Sequence, residues 1–132
     1  MIGYVTIGAL DGEAAGKFYD AVFGAIGSER KTEGGGWLGY GGISDDKSMY
    51  ACHTAVTSAT ANGEPARAGN GIMIAYKAPS KEAVAAAHAA GLANGGTDEG
   101  APGFRPPEAT SGFYGAYLRD PTGNKIGLFA VG

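Results

Sequence analysis

Few side chains in this sequence are equipped for chemistry, and their spacing limits what they can do. The histidines are His53 and His88, and the lone cysteine is Cys52. A cysteine nucleophile needs a neighbouring base or a positive environment to lower its pKa. His53 follows Cys52 directly, but adjacent residues of a strand point to opposite faces, so the two form neither a catalytic couple nor a chelate. Cys52 therefore reads as a small buried hydrophobe, and His88, within a helical pattern, as a packed or partly exposed helix residue. Gly34-Gly35-Gly36 and Gly69-Asn70-Gly71 are not phosphate loops. Neither is followed by the Lys-Ser/Thr of a P-loop, and neither joins a strand to a helix as a dinucleotide fingerprint does. Arg105 lies in a Pro/Gly-rich stretch, where its guanidinium is available to pair with an anionic ligand.

The elements that position these residues follow from periodicity. Residues 4–9 alternate, with Val5 and Ile7 on one side and Tyr4, Thr6 and Gly8 on the other, which predicts a strand packed on one face. Asp11 can cap a helix over residues 12–23, where Ala14, Ala15, Phe18, Tyr19, Val22 and Phe23 make one apolar stripe. The design recurs. Residues 72–78 alternate again, and Ser80 can cap a helix over 81–93 that stops at Gly95-Gly96. The offset is constant: 80 − 11, 73 − 4 and 96 − 27 all equal 69 for Asp11/Ser80, Tyr4/Met73 and Gly27/Gly96.

Each half then reads as a strand pair. Residues 37–40 and 49–52 form the first, and residues 113–118 and 125–131 the second, the latter joined by Asp120-Pro121-Thr122-Gly123, a good type I turn. A shift of 77 places Trp37 on Tyr114 and Tyr50 on Gly127, and 77 − 69 leaves eight extra residues, assigned to the segment 100–107 between helix and strand pair. The expected organisation is a single domain over residues 1–132, with one module at about 1–56, a linker at about 57–70 and a second module at about 71–132. Neither half can close a core alone, so the expected class is α+β, with helices on one side of the sheets and a cleft on the other.

Composition removes other classes. A formal net charge of −3 with scattered basic residues gives no nucleic-acid footprint. No apolar run is long enough for a membrane span, the N-terminus carries no signal-peptide pattern, and one cysteine suits a reducing compartment, so a cytoplasmic protein is expected.

The stretches MIGYVTIGALDGEAAGKFYDAVFGAIG, GNGIMIAYKAPSKEAVAAAHAA and above all GFYGAYLRDPTGNKIGLF resemble the vicinal oxygen chelate superfamily, the glyoxalase, bleomycin-resistance and extradiol-dioxygenase group, over nearly the whole chain. The resemblance implies two βαβββ modules forming a cupped mixed sheet with helices outside, and a homodimer. In the family's metal-dependent members, His or Glu side chains of the inner strands bind one divalent ion. Carried over residue by residue, those positions hold Tyr4, Tyr50, Met73 and Gly127 here. None is an ordinary donor for a divalent metal. The implied cleft is lined by Tyr4, Thr6, Trp37, Tyr50, Met73, Tyr114, Gly127 and Phe129, with Arg105 nearby, a surface suited to a flat or apolar small molecule.

The expectation is a small-molecule binding protein that uses neither metal nor other cofactor, and no nucleic acid or membrane. The alternative is a lyase, isomerase or dioxygenase-type enzyme of the same superfamily that has recruited Tyr4, Tyr50 or His53. A third reading, a purely structural or interaction protein, predicts a cleft filled by its own side chains.

Overall fold

The computed structural model describes residues 1–132. The first module is β1 (Val5–Gly8), α1 (Gly12–Ala25), β2 (Ser28–Gly34), β3 (Trp37–Gly42) and β4 (Thr54–Thr57), with a 3-10 turn at Met49–Ala51. The second is β5 (Ile74–Lys77), α2 (Lys81–Ala93), β6 (Thr97–Phe104), β7 (Phe113–Arg119) and β8 (Lys125–Val131). The sheets have the same order, β1-β4-β3-β2 and β5-β8-β7-β6. In both, the first and last strands run parallel and the other pairs antiparallel. This is the expected α+β pair of βαβββ modules.

Both helices begin where the sequence places a cap. The Asp11 carboxylate accepts hydrogen bonds from the amides of Glu13 and Ala14 at 3.0 and 3.1 Å, and the Ser80 hydroxyl accepts one from Ala83 at 3.1 Å. The buried stripe of α1 is Ala15, Gly16, Phe18, Tyr19, Val22 and Phe23. It joins Val84 and Ala87 of α2 and the inward residues of both sheets in one core drawn from both modules. The helices approach closely because Gly91 has no side chain: a Cβ there would lie 2.6 Å from Leu118 Cδ1 and 3.1 Å from Phe18 Cε2. No helix is long and apolar enough to cross a membrane.

The seam between modules is polar and specific. Asp120 opens the β7–β8 turn and is 4% exposed. One of its oxygens accepts from the amides of Thr122, Gly123 and Asn124, each at 2.9 Å. The other accepts from the Tyr19 hydroxyl at 2.7 Å and from Asn124 Nδ2 at 3.0 Å. The Asn124 amide also donates to the Gly8 carbonyl at 2.8 Å, and the Thr122 hydroxyl accepts from the Leu10 amide at 3.0 Å. The Asp-Pro-Thr-Gly-Asn sequence thus closes a hairpin and fastens the second module to β1 and α1 of the first.

Three expectations need correction. Periodicity finds two strands after each helix, whereas the structure has three. The missed ones, β2 and β6, are sheet edges with the polar sequences SERKTEG and TDEGAPGF, and an edge needs no apolar alternation and tolerates Pro102. Residues 49–51 form a 3-10 turn, and the last strand of the module is Thr54–Thr57. The ladders also replace the single shift of 77. Tyr40 and Leu118 occupy equivalent places, 118 − 40 = 78, as do Thr54 and Ile126, 126 − 54 = 72. Gly127 is therefore the counterpart of Ala55, not of Tyr50, and Trp37 that of Gly115, not of Tyr114. The extra length of the second module sits between β6 and β7, where residues 105–112 replace the two glycines, Gly35 and Gly36, that join β2 to β3.

Candidate functional site

On the face of the first sheet away from α1, β3 presents glycines. A Cβ at Gly41 would lie 2.1 Å from the Ala51 carbonyl oxygen, and one at Gly39 would lie 2.7 Å from Cys52 Sγ and 3.0 Å from Met49 Sδ. Segment 48–52 therefore rests directly on the strand backbone, which only glycine permits. Its approach is pinned by Asp46, whose carboxylate accepts from the amide and hydroxyl of Ser48 at 2.9 and 2.6 Å. Lys31, almost fully buried, donates to the Ser44 hydroxyl at 3.0 Å and pairs with Glu29 at 3.4 Å. The outcome is a cavity of about 430 Å³ lined by Gly3, Tyr4, Trp37, Met49, Tyr50, Cys52 and Ala55.

This cavity brings together three residues expected in the cleft: Tyr4, Trp37 and Tyr50. Folding leaves them 64%, 38% and 99% exposed, so their rings are free to cover a guest. Met49, Cys52 and Ala55 were not foreseen there. Once residues 49–52 are read as a strand, the turn that carries Met49 and Tyr50 to the mouth is invisible.

The remaining candidates are elsewhere. Thr6 borders a smaller cavity of about 200 Å³ at the seam, with Arg67, Asn124 and Lys125. On the open face of the second sheet, a Cβ at Gly127 would lie 3.3 Å from Met73 Sδ and 3.2 Å from the Tyr117 ring. Phe129 stacks on Phe113 at 5.5 Å, and the Arg105 guanidinium lies 5.7 Å from the centre of the Tyr117 ring. Tyr114 is not in the cleft. It packs against the core and meets Phe104 edge-on at 5.2 Å. Tyr117, which was not foreseen, takes the cleft side because it shares strand parity with Phe113 and Gly115; that alternation is visible in the sequence.

The cysteine and both histidines are each engaged by neighbouring groups. Cys52 is 6% exposed and its Sγ lies 3.7 Å from the Ser48 carbonyl oxygen, and burial pushes its thiol pKa up, the opposite of activation. His53 turns to the other side of the strand. Its Nε2 lies 3.0 Å from the Ser28 hydroxyl and its Nδ1 2.8 Å from Thr54 Oγ1, and the ring packs against Phe23 and Tyr76. Burial holds its pKa below the ordinary imidazole value. His88, 6% exposed, pairs with Asp98 at 2.9 Å. No three His, Cys, Asp or Glu side chains converge where they could hold a metal ion. With Ala55 replacing Tyr50 as the counterpart of Gly127, the four positions are Tyr4, Ala55, Met73 and Gly127, which offer a phenol, a methyl, a thioether and no side chain, so the donor set does not fit a hard or borderline divalent ion.

A family model for the Glyoxalase/Bleomycin resistance protein/Dioxygenase superfamily matches residues 1–128. The chain belongs to this superfamily. Among solved structures, a glyoxalase/bleomycin resistance protein from Albidiferax ferrireducens is 39% identical over 98% of both chains, with a TM-score of 0.82. A glyoxalase-related enzyme from Fulvimarina pelagi is 19% identical, covering 96% of this chain and 86% of that one, at TM-score 0.69. A lactoylglutathione lyase from Agrobacterium tumefaciens is 20% identical, covering 96% and 91%, at TM-score 0.57. The last two share the fold. A search of curated proteins gave no significant match. This chain combines the β7–β8 hairpin and two capped helices with an aromatic-lined cavity on the open face of the first sheet.

Proposed function

We propose that this superfamily member is a metal-independent binding protein for a flat, largely apolar small molecule, held between Tyr4, Trp37 and Tyr50. The observation that supports this most is the cavity of about 430 Å³ whose lining holds three exposed aromatic rings, two sulfur side chains and no charged residue. That volume falls within the range of about 300–1,000 Å³ usual for small-molecule sites. Aromatic rings and a thioether bury large area at small entropic cost, and the two phenols can still hydrogen-bond a polar edge of the guest.

The test combines metal analysis with calorimetry. Protein purified without chelator is expected to carry no stoichiometric divalent metal, and a panel of neutral planar aromatics is expected to include binders that Trp37→Leu weakens by about tenfold, or about 1.4 kcal/mol. A stoichiometric metal, or binding indifferent to Trp37→Leu, would overturn the proposal.

A further inference from the structure

The open face of the second sheet differs in chemistry from the cavity on the first. Tyr117 stands in the middle strand, and its ladder partners on both sides are glycines, Gly127 on β8 and Gly100 on β6. A Cβ at either would meet the ring, at 3.2 Å and 2.7 Å. The phenol ring thus occupies the space that side chains on its two ladder neighbours would fill. Lys125 Nζ and the Arg105 guanidinium lie 5.6 and 5.7 Å from its centroid, within cation–π range. Lys125 makes no ion pair. Arg105 donates only to the carbonyls of Phe104 and Ala101, at 3.2 and 2.8 Å. A third cation, Arg119, lies across from Lys125 in the ladder and is paired with Glu99. Met73 borders the same ground as Gly127, and Lys125, Arg119 and Met73 line a cavity of about 320 Å³.

In a chain of net charge −3, two half-buried cations without carboxylate partners, fixed on either strand-borne or loop-borne backbone beside one ring, form a place built for negative charge. We infer that this face binds an anionic group, a carboxylate, sulfonate or phosphate, carried by a molecule whose flat body lies on Tyr117 and Met73. Lys125 supplies a point charge and Arg105 a planar fork. The inference rests on the reading of this chain as a small-molecule binding protein and adds the chemical class of ligand, but it concerns residues separate from the Trp37 cavity.

The test uses two fluorescent probes of similar shape, anilinonaphthalene sulfonate and the neutral phenylnaphthylamine, on the wild-type chain, Lys125→Met, Arg105→Gln and the double variant. The sulfonate is expected to bind the wild type at least about tenfold more tightly than the neutral probe. The double variant should abolish that preference while leaving neutral-probe affinity within about twofold. Rising salt should weaken sulfonate binding to the wild type and not to the double variant. Lys125→Arg keeps the charge and should retain the preference, and matching thermal midpoints show that the variants are folded. A sulfonate affinity unchanged in the double variant, or insensitive to salt, overturns the inference. Trp37→Leu separates the two readings. If it spares both probes, the aromatic-cavity reading fails while the anion site stands; if it weakens the neutral probe and the double variant changes nothing, the reverse holds.

Discussion

Replacing Tyr19 by phenylalanine removes a single oxygen from the centre of the molecule, and the consequence can be worked out. The ring is fully buried, meeting Phe18 edge-on at 4.9 Å and Phe23 at 5.2 Å with the two planes tilted by 30°, contacts that phenylalanine retains. What is lost is the 2.7 Å bond to Asp120. A hydrogen bond to a charged group is worth about 1.5–3 kcal/mol net. Asp120 keeps four other donors, which places Tyr19→Phe near the lower end of that range. Asp120→Ala is worse. It strips an acceptor from three turn amides, the Tyr19 hydroxyl and the Asn124 amide at once, and about 3–5 kcal/mol is expected, as for other broken buried polar networks. Urea denaturation of both variants and of the Tyr19→Phe/Asp120→Ala double variant, analysed as a double-mutant cycle, should give a coupling of about 1 kcal/mol or more at unchanged m-value. A Tyr19→Phe midpoint indistinguishable from wild type would refute the claim that this bond fastens the two modules.

Other expectations are simpler to check. Gly41→Ala forces a methyl into the Ala51 carbonyl at 2.1 Å, so segment 48–52 must lift; about 1–3 kcal/mol of stability should be lost in denaturation, together with aromatic ligand binding. His53 has a folded pKa below its unfolded value because of burial. Its contribution is therefore fully present above about pH 6.5 and lost as pH falls from there through the lower folded value; the difference between wild-type and His53→Gln denaturation midpoints should change across that window, and a pH-independent difference would contradict the assignment. We also propose a homodimer, which sedimentation should show and a monomer at all concentrations would exclude.

Much of the fold can be read from the chain, because its strongest signals are local. Asp11 and Ser80 mark helix starts, and the strict alternation around Val5, Ile7, Ile74 and Tyr76 marks the strands at the seam. The outer edge strands β2 and β6 are illegible for a physical reason: one face meets solvent and the other is only partly covered, so SERKTEG carries no hydrophobic period. The site is less legible than the fold. Met49–Cys52 alternates like a strand, and only the bare backbone of Gly39 and Gly41 beneath it reveals why it can lie flat as a turn. The Asp120 turn shows the limit of motif reading from the other side. Its type I geometry is predictable from Asp, Pro and Gly, whereas its bond to Tyr19, 101 positions away in sequence, depends on how the modules pack.

The central claim, binding of a flat guest by the aromatic cavity without metal, is tested most directly by the fluorescence of Trp37, the only tryptophan in the chain. Titration with a neutral planar aromatic in the presence of chelator should give a saturable change, weakened about tenfold, or about 1.4 kcal/mol, by Tyr50→Ala. A signal that disappears with chelator, or one that Tyr50→Ala leaves untouched, would contradict it.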